Sequence, residues 1–493
     1  MRRTFTAGAV LVLCGGVVPL VSPAGAGPAV AADGAADGAA IPFDFDGDGY
    51  ADLAVGVSGE DLRGKLNAGA VQVLYGSASG PTAHDQFWHQ GRKGVKGAVE
   101  AGDFFGSALA SGDFDDDGFA DLAIGIPREN IGRGSKRRVN AGTVQVLYGS
   151  PSGLTAARDQ VWHQDSKGVP GVNEDHDKFG SALAASDFDG DGFADLAIGS
   201  ARESTKAGHH TGRVVVLRGS AVGLRAGGVQ SWNEGSAGVA SEPLRDEGFG
   251  GILEAGDVTG DGFDDLLIGV RDMAEGEWHG AVHLLLGSAT GLTSAGSQYI
   301  GLTDLGIGLT TKYTDQYTLI TSLSLGDVNA DGREDLALNA DGLDTVLLHG
   351  HADGFRPGPL VAPGQPGKDT IWRDSYGAAL FGDLTGDGYV DLAINHDPMI
   401  IQIGTSKGLG STVAQWPIDT GGGYRLVSVR PLSGASPHWL ILNGDDSGTQ
   451  AGSVAVRQGT ATGVPGPETL WSQDSPGIKD STEPGDKFGW PVG

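Results

Sequence analysis

A nine-residue acidic loop recurs six times in this chain, starting at Asp44, Asp113, Asp187, Asp257, Asp327 and Asp383. The first copy reads Asp44-Phe45-Asp46-Gly47-Asp48-Gly49-Tyr50-Ala51-Asp52 and runs straight into Leu53-Ala54-Val55-Gly56. Oxygen-bearing side chains stand at positions 1, 3, 5 and 9, glycine stands at position 6, and position 7 offers its backbone carbonyl. Calcium is a hard cation that takes roughly six to eight oxygen ligands, and glycine lets a short loop fold back around it. The ligand sets that this pattern assigns begin with Asp44, Asp46, Asp48, Tyr50 and Asp52 in the first loop. They continue with Asp113, Asp115, Asp117, Phe119 and Asp121 in the second, and Asp187, Asp189, Asp191, Phe193 and Asp195 in the third. The fourth is Asp257, Thr259, Asp261, Phe263 and Asp265, and the fifth is Asp327, Asn329, Asp331, Arg333 and Asp335. The sixth is Asp383, Thr385, Asp387, Tyr389 and Asp391. Position 7 contributes only its carbonyl, so the side chain of Arg333 is no obstacle.

The first half of the loop is shared with the EF-hand, which also needs a bidentate Glu at position 12 and flanking helices. Position 12 here is Val55, Ile124, Ile198, Ile268, Leu338 and Ile394, none of which can bind a metal. The ninth-position Asp must therefore close the site. The run that follows it is short, apolar and ended by glycine or a polar residue, as in Leu122-Ala123-Ile124-Gly125, which suits a buried strand. These are expected to be loops between β-strands. Loops one to three have four carboxylates each at their ligand positions, whereas Thr259, Asn329 and Thr385 leave loops four to six with three, so the last three loops are expected to bind more weakly.

The elements that must carry the loops repeat as well. Phe105-Gly106, Phe179-Gly180 and Phe249-Gly250 stand eight residues before loops two, three and four and open short small-residue strands. After each loop comes the Asp-Leu-Ala-Ile-Gly strand, then a strand such as Ala141-Gly142-Thr143-Val144-Gln145-Val146-Leu147-Tyr148-Gly149-Ser150. Last comes a strand marked by tryptophan at 88, 162, 232, 372 and 471. Four-stranded units in series indicate a β-propeller.

This pattern resembles the FG-GAP repeat of the integrin α-subunit propeller, of a secreted bacterial kind. Phe-Gly at 105, 179, 249 and 488 matches the first half of that repeat. Gly69-Ala70, Gly142-Thr143, Gly212-Arg213, Gly280-Ala281 and Gly452-Ser453 match the second. Units five and six depart from it: Tyr317 and Tyr376-Gly377 stand in for Phe-Gly, and Asp344-Thr345 and Pro398-Met399 for Gly-Ala. A seventh unit keeps its strands, around Tyr424 to Val429 and Leu440 to Gly444. It has Pro431, Ser433, Ala435 and Trp439 where ligands would stand. The first loop has no Phe-Gly strand before it, and Phe488-Gly489-Trp490-Pro491-Val492-Gly493 supplies one at the other end of the chain. The expected fold is therefore all-β, a seven-bladed β-propeller. Calcium loops join strands one and two of six blades, and the C-terminal strand closes the ring and leaves no open edge.

Composition sets the remaining bounds. The 493 residues include 86 Gly and 22 Pro, and the formal net charge is −29. The ligand positions of the six loops alone hold 21 of the 62 acidic residues. Such a surface repels nucleic acid, which is not expected as a partner. Arg2-Arg3 followed by an apolar run from Ala7 to Val21 reads as an export signal, with features of a twin-arginine leader. Residues 1–32 are assigned to that signal, 33–43 to a short linker and 44–493 to one propeller domain. The single cysteine, Cys14, falls inside the signal, so the mature chain is expected to have no disulfide, no transmembrane segment and calcium as its cross-link. The repeats are expected to use the whole mature chain, leaving no room for an attached catalytic domain.

The acidic loops and the turns joining strands three and four are expected on one face of the ring. The longer loops lie on the other, including Arg133, Lys136, Arg137 and Arg138 in one and His209-His210 in another. Loops carry function more often than strands do, so that second face is the expected ligand surface. The resemblance implies the same, since integrins bind ligand on the face away from calcium. Gly404-Thr405-Ser406-Lys407-Gly408 fits the nucleophile pattern G-x-S-x-G, but sits where other units have a turn and has no helix after it. Trp88-His89-Gln90 and Trp162-His163-Gln164 are read as packing elements of the outer strand. The expected function is a secreted, calcium-binding module that binds an extracellular protein or glycan and is not an enzyme. The alternative is a polysaccharide hydrolase or lyase working in the central channel.

Overall fold

The aliphatic runs after the acidic loops become the most deeply buried strands of the molecule: every residue of Leu53–Val57, Asp121–Ile126 and Asp195–Ser200 is buried. A strand covered on both faces favours a continuous apolar run over strict alternation, and these runs have that character. The computed structural model describes residues 40–478 and Phe488, apart from 207, 240, 242–244, 275–276, 306–319, 341–344, 358–377, 396–398, 411–412, 417–424, 431–438, 445–451 and 464. Among the described residues the chain forms seven antiparallel sheets, six of four strands and the first of three, and no α-helix. Within each sheet the strands lie side by side in chain order. The protein is a seven-bladed β-propeller.

Blade two shows the plan. Ala108–Gly112 pairs with Asp121–Ile126, that strand with Thr143–Tyr148, and the last with Thr155–Trp162. The innermost strands of neighbouring blades (Ala108–Gly112, Ala182–Ser186, Ile252–Gly256, Ile320–Gly326, Ala379–Gly382 and Arg425–Arg430) pack against one another around the centre. The outermost strands, such as Thr155–Trp162, are half exposed. Trp88, Trp162, Trp232 and Trp471 end outer strands as expected. In blade five the outer strand is instead Gly354–Pro357, upstream of Trp372, which lies outside the described residues. Blade six ends its outer strand at Trp416, a tryptophan that the repeat pattern had not assigned, because units five and six are spaced more closely than the others.

Among the described residues no blade has a core of its own. Seven apolar clusters lie at the seven seams, each drawn from two neighbouring blades. The seam between the last blade and the first joins Leu53, Val55 and Leu74 to Ile441, Val454, Val456 and the fully buried Phe488. Phe488 occupies the place that Phe105, Phe179 and Phe249 hold elsewhere. Gly69, Gly142 and Gly212 each form a parallel bridge to those phenylalanines. A Cβ on any of these glycines would lie 2.3–2.5 Å from the facing amide nitrogen, and one on Gly452 would lie 2.8 Å from that of Phe488. All four glycines have φ between 76° and 87°, a region that side chains disfavour.

A polar clasp repeats across the same seams. Gln90 Nε2 donates to Glu129 Oε2 at 2.6 Å, Gln164 to Glu203 at 2.5 Å, and Gln473 to Glu60 at 2.6 Å, 413 residues away in the chain. The Trp-His-Gln element thus serves packing and inter-blade contact. Residues 489–493, expected to complete the closing strand, lie outside the described residues, as do residues 1–39, which hold the expected export signal and most of the expected linker.

Two outcomes follow from the seams. Phe488→Ala should cost about 3–5 kcal/mol, as Phe105→Ala should, because each empties an equivalent buried slot. Equal denaturation midpoints for Phe488→Ala and the parent chain would contradict the closure. Burial, together with the charge of nearby Asp103, pushes Glu129 up to about 8 from its ordinary 4.5. A raised carboxyl pKa favours folding below the unfolded value, and that stability is lost as pH rises through the folded value. Stability should therefore fall between about pH 4.5 and 8, and Glu129→Gln should flatten that fall in a pH series of urea melts.

Candidate cation-binding loops

The six acidic loops share one hydrogen-bonding scheme. The position-1 carboxylate (Asp44, Asp113, Asp187, Asp257, Asp327 or Asp383) accepts from the N–H groups of positions 5 and 6 at 2.8–3.2 Å. The position-5 carboxylate accepts from the N–H of position 7 at 2.9–3.2 Å, as Asp48 does from Tyr50 and Asp331 from Arg333. The two N–H groups take different oxygens of the position-1 carboxylate, so both of its oxygens are engaged within the loop.

The ninth-position carboxylates are almost wholly removed from solvent. Asp52, Asp121, Asp195, Asp265, Asp335 and Asp391 each accept the N–H of the glycine that opens the turn between strands three and four: Gly76, Gly149, Gly219, Gly287, Gly350 and Gly404, at 2.7–2.9 Å. That bond places loops and turns on one face, as the sequence predicts. The other oxygen of Asp52, Asp121, Asp265 and Asp335 accepts the N–H of position 2 at 2.9–3.1 Å. Position 9 thus fastens its own loop whether or not a cation is bound.

Position 3 behaves differently. Asp115 Oδ1, Asp189 Oδ1, Thr259 Oγ1, Asn329 Oδ1 and Thr385 Oγ1 are buried and accept or donate no hydrogen bond. A buried oxygen left without a partner is costly and rare, and five at the same loop position call for a common partner. A cation is what these donors fit: hard oxygens only, with three carboxylates within 4.8 Å of one another in Asp44/Asp46/Asp48, Asp113/Asp115/Asp121 and Asp187/Asp189/Asp191. Burial pushes Asp52 up to about 8, Asp121 to about 9, Asp195 and Asp265 to about 7 and Asp391 to about 6, and raises Asp335 too, against the pull of their backbone N–H donors. A bound cation would reverse that balance and hold them ionised.

Two features of the loops escaped the sequence reading. Position 2 is an anchor: Phe45, Phe114, Phe188, Val258, Val328 and Leu384 are fully buried, one in each of six seams. Position 4 takes a positive φ of 51–74° in every loop, including the non-glycines Asp116 and Ala330. Glycine there in four of six copies was the available signal. At Gly47 and Gly190 a Cβ would press on Phe119 and Phe263 of the next loop, at 2.6 and 2.8 Å. The loops also bond to one another in sequence. Ala120 donates its N–H to the Asp44 carbonyl at 3.0 Å, Ala194 to Asp113 at 3.0 Å, Asp264 to Asp187 at 3.3 Å and Glu334 to Asp257 at 3.0 Å.

Basic side chains from other strands reach three loops. Arg158 pairs with Asp115 at 2.6 Å, Arg218 with Asp189 and Asp195, and His349 with Asp335 at 3.1 Å. They lie 14 to 43 residues from their partners, too far for a loop motif to reveal them. In the seventh blade, Pro431, Ser433 and Ala435 lie outside the described residues, and Trp439 opens a strand. On the opposite face, residues 127–140 form an exposed excursion in which Arg133, Lys136, Arg137 and Arg138 are open to solvent. Thr405 Oγ1 donates to the Gly408 carbonyl at 2.7 Å, as Ser77, Ser150, Ser220 and Ser288 do in their turns, so the G-x-S-x-G match is a repeat turn.

Comparison with known proteins follows the same outline. The FG-GAP repeat model matches residues 35–74, 105–147 and 179–217, the first three blades. Phosphatidylinositol-glycan-specific phospholipase D of Rattus norvegicus is 34% identical over 157 residues, 32% of this chain and 17% of that protein. Integrin alpha-PS2 of Drosophila melanogaster is 32% identical over 245 residues, 45% of this chain and 15% of its own length. Integrin alpha-3 of Cricetulus griseus is 32% identical over 172 residues, 34% and 14% respectively. The chain thus spans less than a fifth of each of these relatives.

The division of labour within a loop can be tested in blade two. Asp121→Asn leaves one of the two backbone donors, Gly149 or Phe114, without its acceptor, and should cost about 1–3 kcal/mol both with and without calcium. Asp117→Asn, at an exposed oxygen, should leave the chelated protein unchanged and weaken only its response to calcium. Identical thermal shifts for the two variants in chelator would contradict this assignment.

Proposed function

From FG-GAP repeats set in an integrin-α-like propeller, we propose that this chain is an exported, calcium-stabilised binding module that recognises an extracellular protein or glycan. The observation that carries the calcium half of the reading is the row of partnerless position-3 oxygens in five of six loops that share one geometry. Calcium then acts as a staple. It gathers carboxylates that burial would otherwise protonate, and stiffens the face on which neighbouring loops bond to one another. Affinities of extracellular modules, on the order of 0.1–1 mM, suit that role.

Binding is assigned to the other face, where the long loops between strands two and three emerge from a scaffold stiffened below. The Arg133 to Arg138 excursion, on a chain of net charge −29, offers a local basic surface for an acidic partner. The likeness to integrin α-chains supports a binding role. The likeness to a phospholipase D covers 157 residues, 17% of that protein. Among the described residues no helix is long and apolar enough to cross a membrane. The N-terminal Arg2-Arg3 and apolar run support export.

Saturating millimolar calcium should raise the melting temperature, each occupied site adding about 1 kcal/mol when calcium is some fourfold above its Kd. A chelator that leaves the melting temperature unchanged would refute the staple. For the ligand, the protein should be applied to an array of glycans, envelope polymers and matrix proteins, with calcium and then with chelator. Calcium-dependent retention on one class without turnover is expected, whereas release of shortened products would make the protein an enzyme.

A further inference from the structure

Loop three is the exception among the six. The residue just before the turn glycine is Tyr75 in blade one and Tyr148 in blade two, and both phenols reach the next blade to accept the N–H of Leu154 and Leu224. In blade three that residue is Arg218, which is 5% exposed. It keeps the inter-blade contact through Nη2, which donates to the Thr290 carbonyl at 2.6 Å. Its Nη1 turns into the acidic loop, where it meets Asp189 Oδ2 and lies 2.8 Å from Asp195 Oδ2. Those are positions 3 and 9, two of the ligand positions.

We propose that the Arg218 guanidinium is the resident cation of loop three, so that blade three is fastened by its own side chain and takes no calcium. Asp187, Asp189 and Asp191 cluster as in the other loops and Asp189 Oδ1 has no hydrogen-bond partner, but the cation that loop three fits is already present in Arg218, which sets it apart from the other loops. One nitrogen stands against both carboxylates that a metal would need to hold together, and a calcium ion coordinated by both at roughly 2.3–2.6 Å would claim the same space. The positive charge is already buried and matched. To admit calcium, the buried guanidinium would have to leave two carboxylates and lose its place beside Thr290.

Arg158 in blade two provides the contrast. It pairs with Asp115 and stands 3.6 Å from Asp117, but it is half exposed and can swing into water. Loop two therefore stays open to calcium. The carboxylate count, which ranks loop three with the tightest sites, is overridden by a residue 23 positions beyond Asp195.

The inference rests on calcium binding at the other loops, and the test separates the two. Calcium alone is titrated into the whole protein and bound ions are counted by native mass spectrometry, for the parent chain, Asp115→Ala, Asp189→Ala and Arg218→Tyr. Asp115→Ala should lose one ion, Asp189→Ala none, and Arg218→Tyr should gain one, which a further Asp189→Ala removes. Arg218→Leu, the residue type at Leu286 in blade four, serves the same purpose should the tyrosine variant fail to fold. Loss of an ion in Asp189→Ala with Arg218 intact would overturn the proposal. So would an unchanged count in both Arg218 variants. A parent chain that binds no calcium at all would defeat the calcium reading, and the proposal with it.

Discussion

Everything in this molecule depends on the burial of apolar surface between blades. A single four-stranded sheet with both faces apolar cannot stand in water, and each blade here leaves both faces for its neighbours to cover. The consequence is a closure requirement. Six seams would leave two sheet faces open, and the seventh, built from Phe488, Val454 and Val456 against Leu53 and Val55, removes them. The glycines that meet Phe105, Phe179, Phe249 and Phe488 serve the same end, since a side chain there would hold two blades apart.

The acidic loops are subordinate to those seams and exploit them. Each loop is pinned by an apolar residue at position 2, sunk into a seam, and by a carboxylate at position 9, locked to a turn glycine. Positions 1, 3 and 5 are then presented at fixed spacing with little left to organise. Such preorganisation reduces the entropy that a cation must offset on binding. It also explains why the loops bond to each other around the ring: the apolar anchors set their distance, and the backbone groups at that distance pair.

Much of this was legible in the sequence because the repeat writes it several times. The Asp spacing, the aliphatic run after it and Phe-Gly before it identified the strands, their order, the loops and the face they share. Tryptophan was a poorer guide in blades five and six, where shorter spacing shifted the outer strands to Gly354–Pro357 and Val413–Trp416. The polar clasps between Gln90 and Glu129 or Gln473 and Glu60 were invisible as pairs, since contacts across a seam have no fixed spacing in the chain. Arg218 escaped for a related reason: its meaning lies in the loop it points into, while its own strand reads as an ordinary copy with one residue changed.

The most direct test of the account is hydrogen exchange of the backbone amides in the loops, followed with calcium and with chelator. The N–H groups of positions 5, 6 and 7 bond to carboxylates that the proposed calcium would hold in place, while the strands are protected by the seams alone. Calcium should slow exchange at residues 44–52, 113–121, 257–265, 327–335 and 383–391 and leave the buried strands as they are. Equal exchange in the loops under both conditions would contradict the account, because the acidic repeats would then be turns that bind nothing.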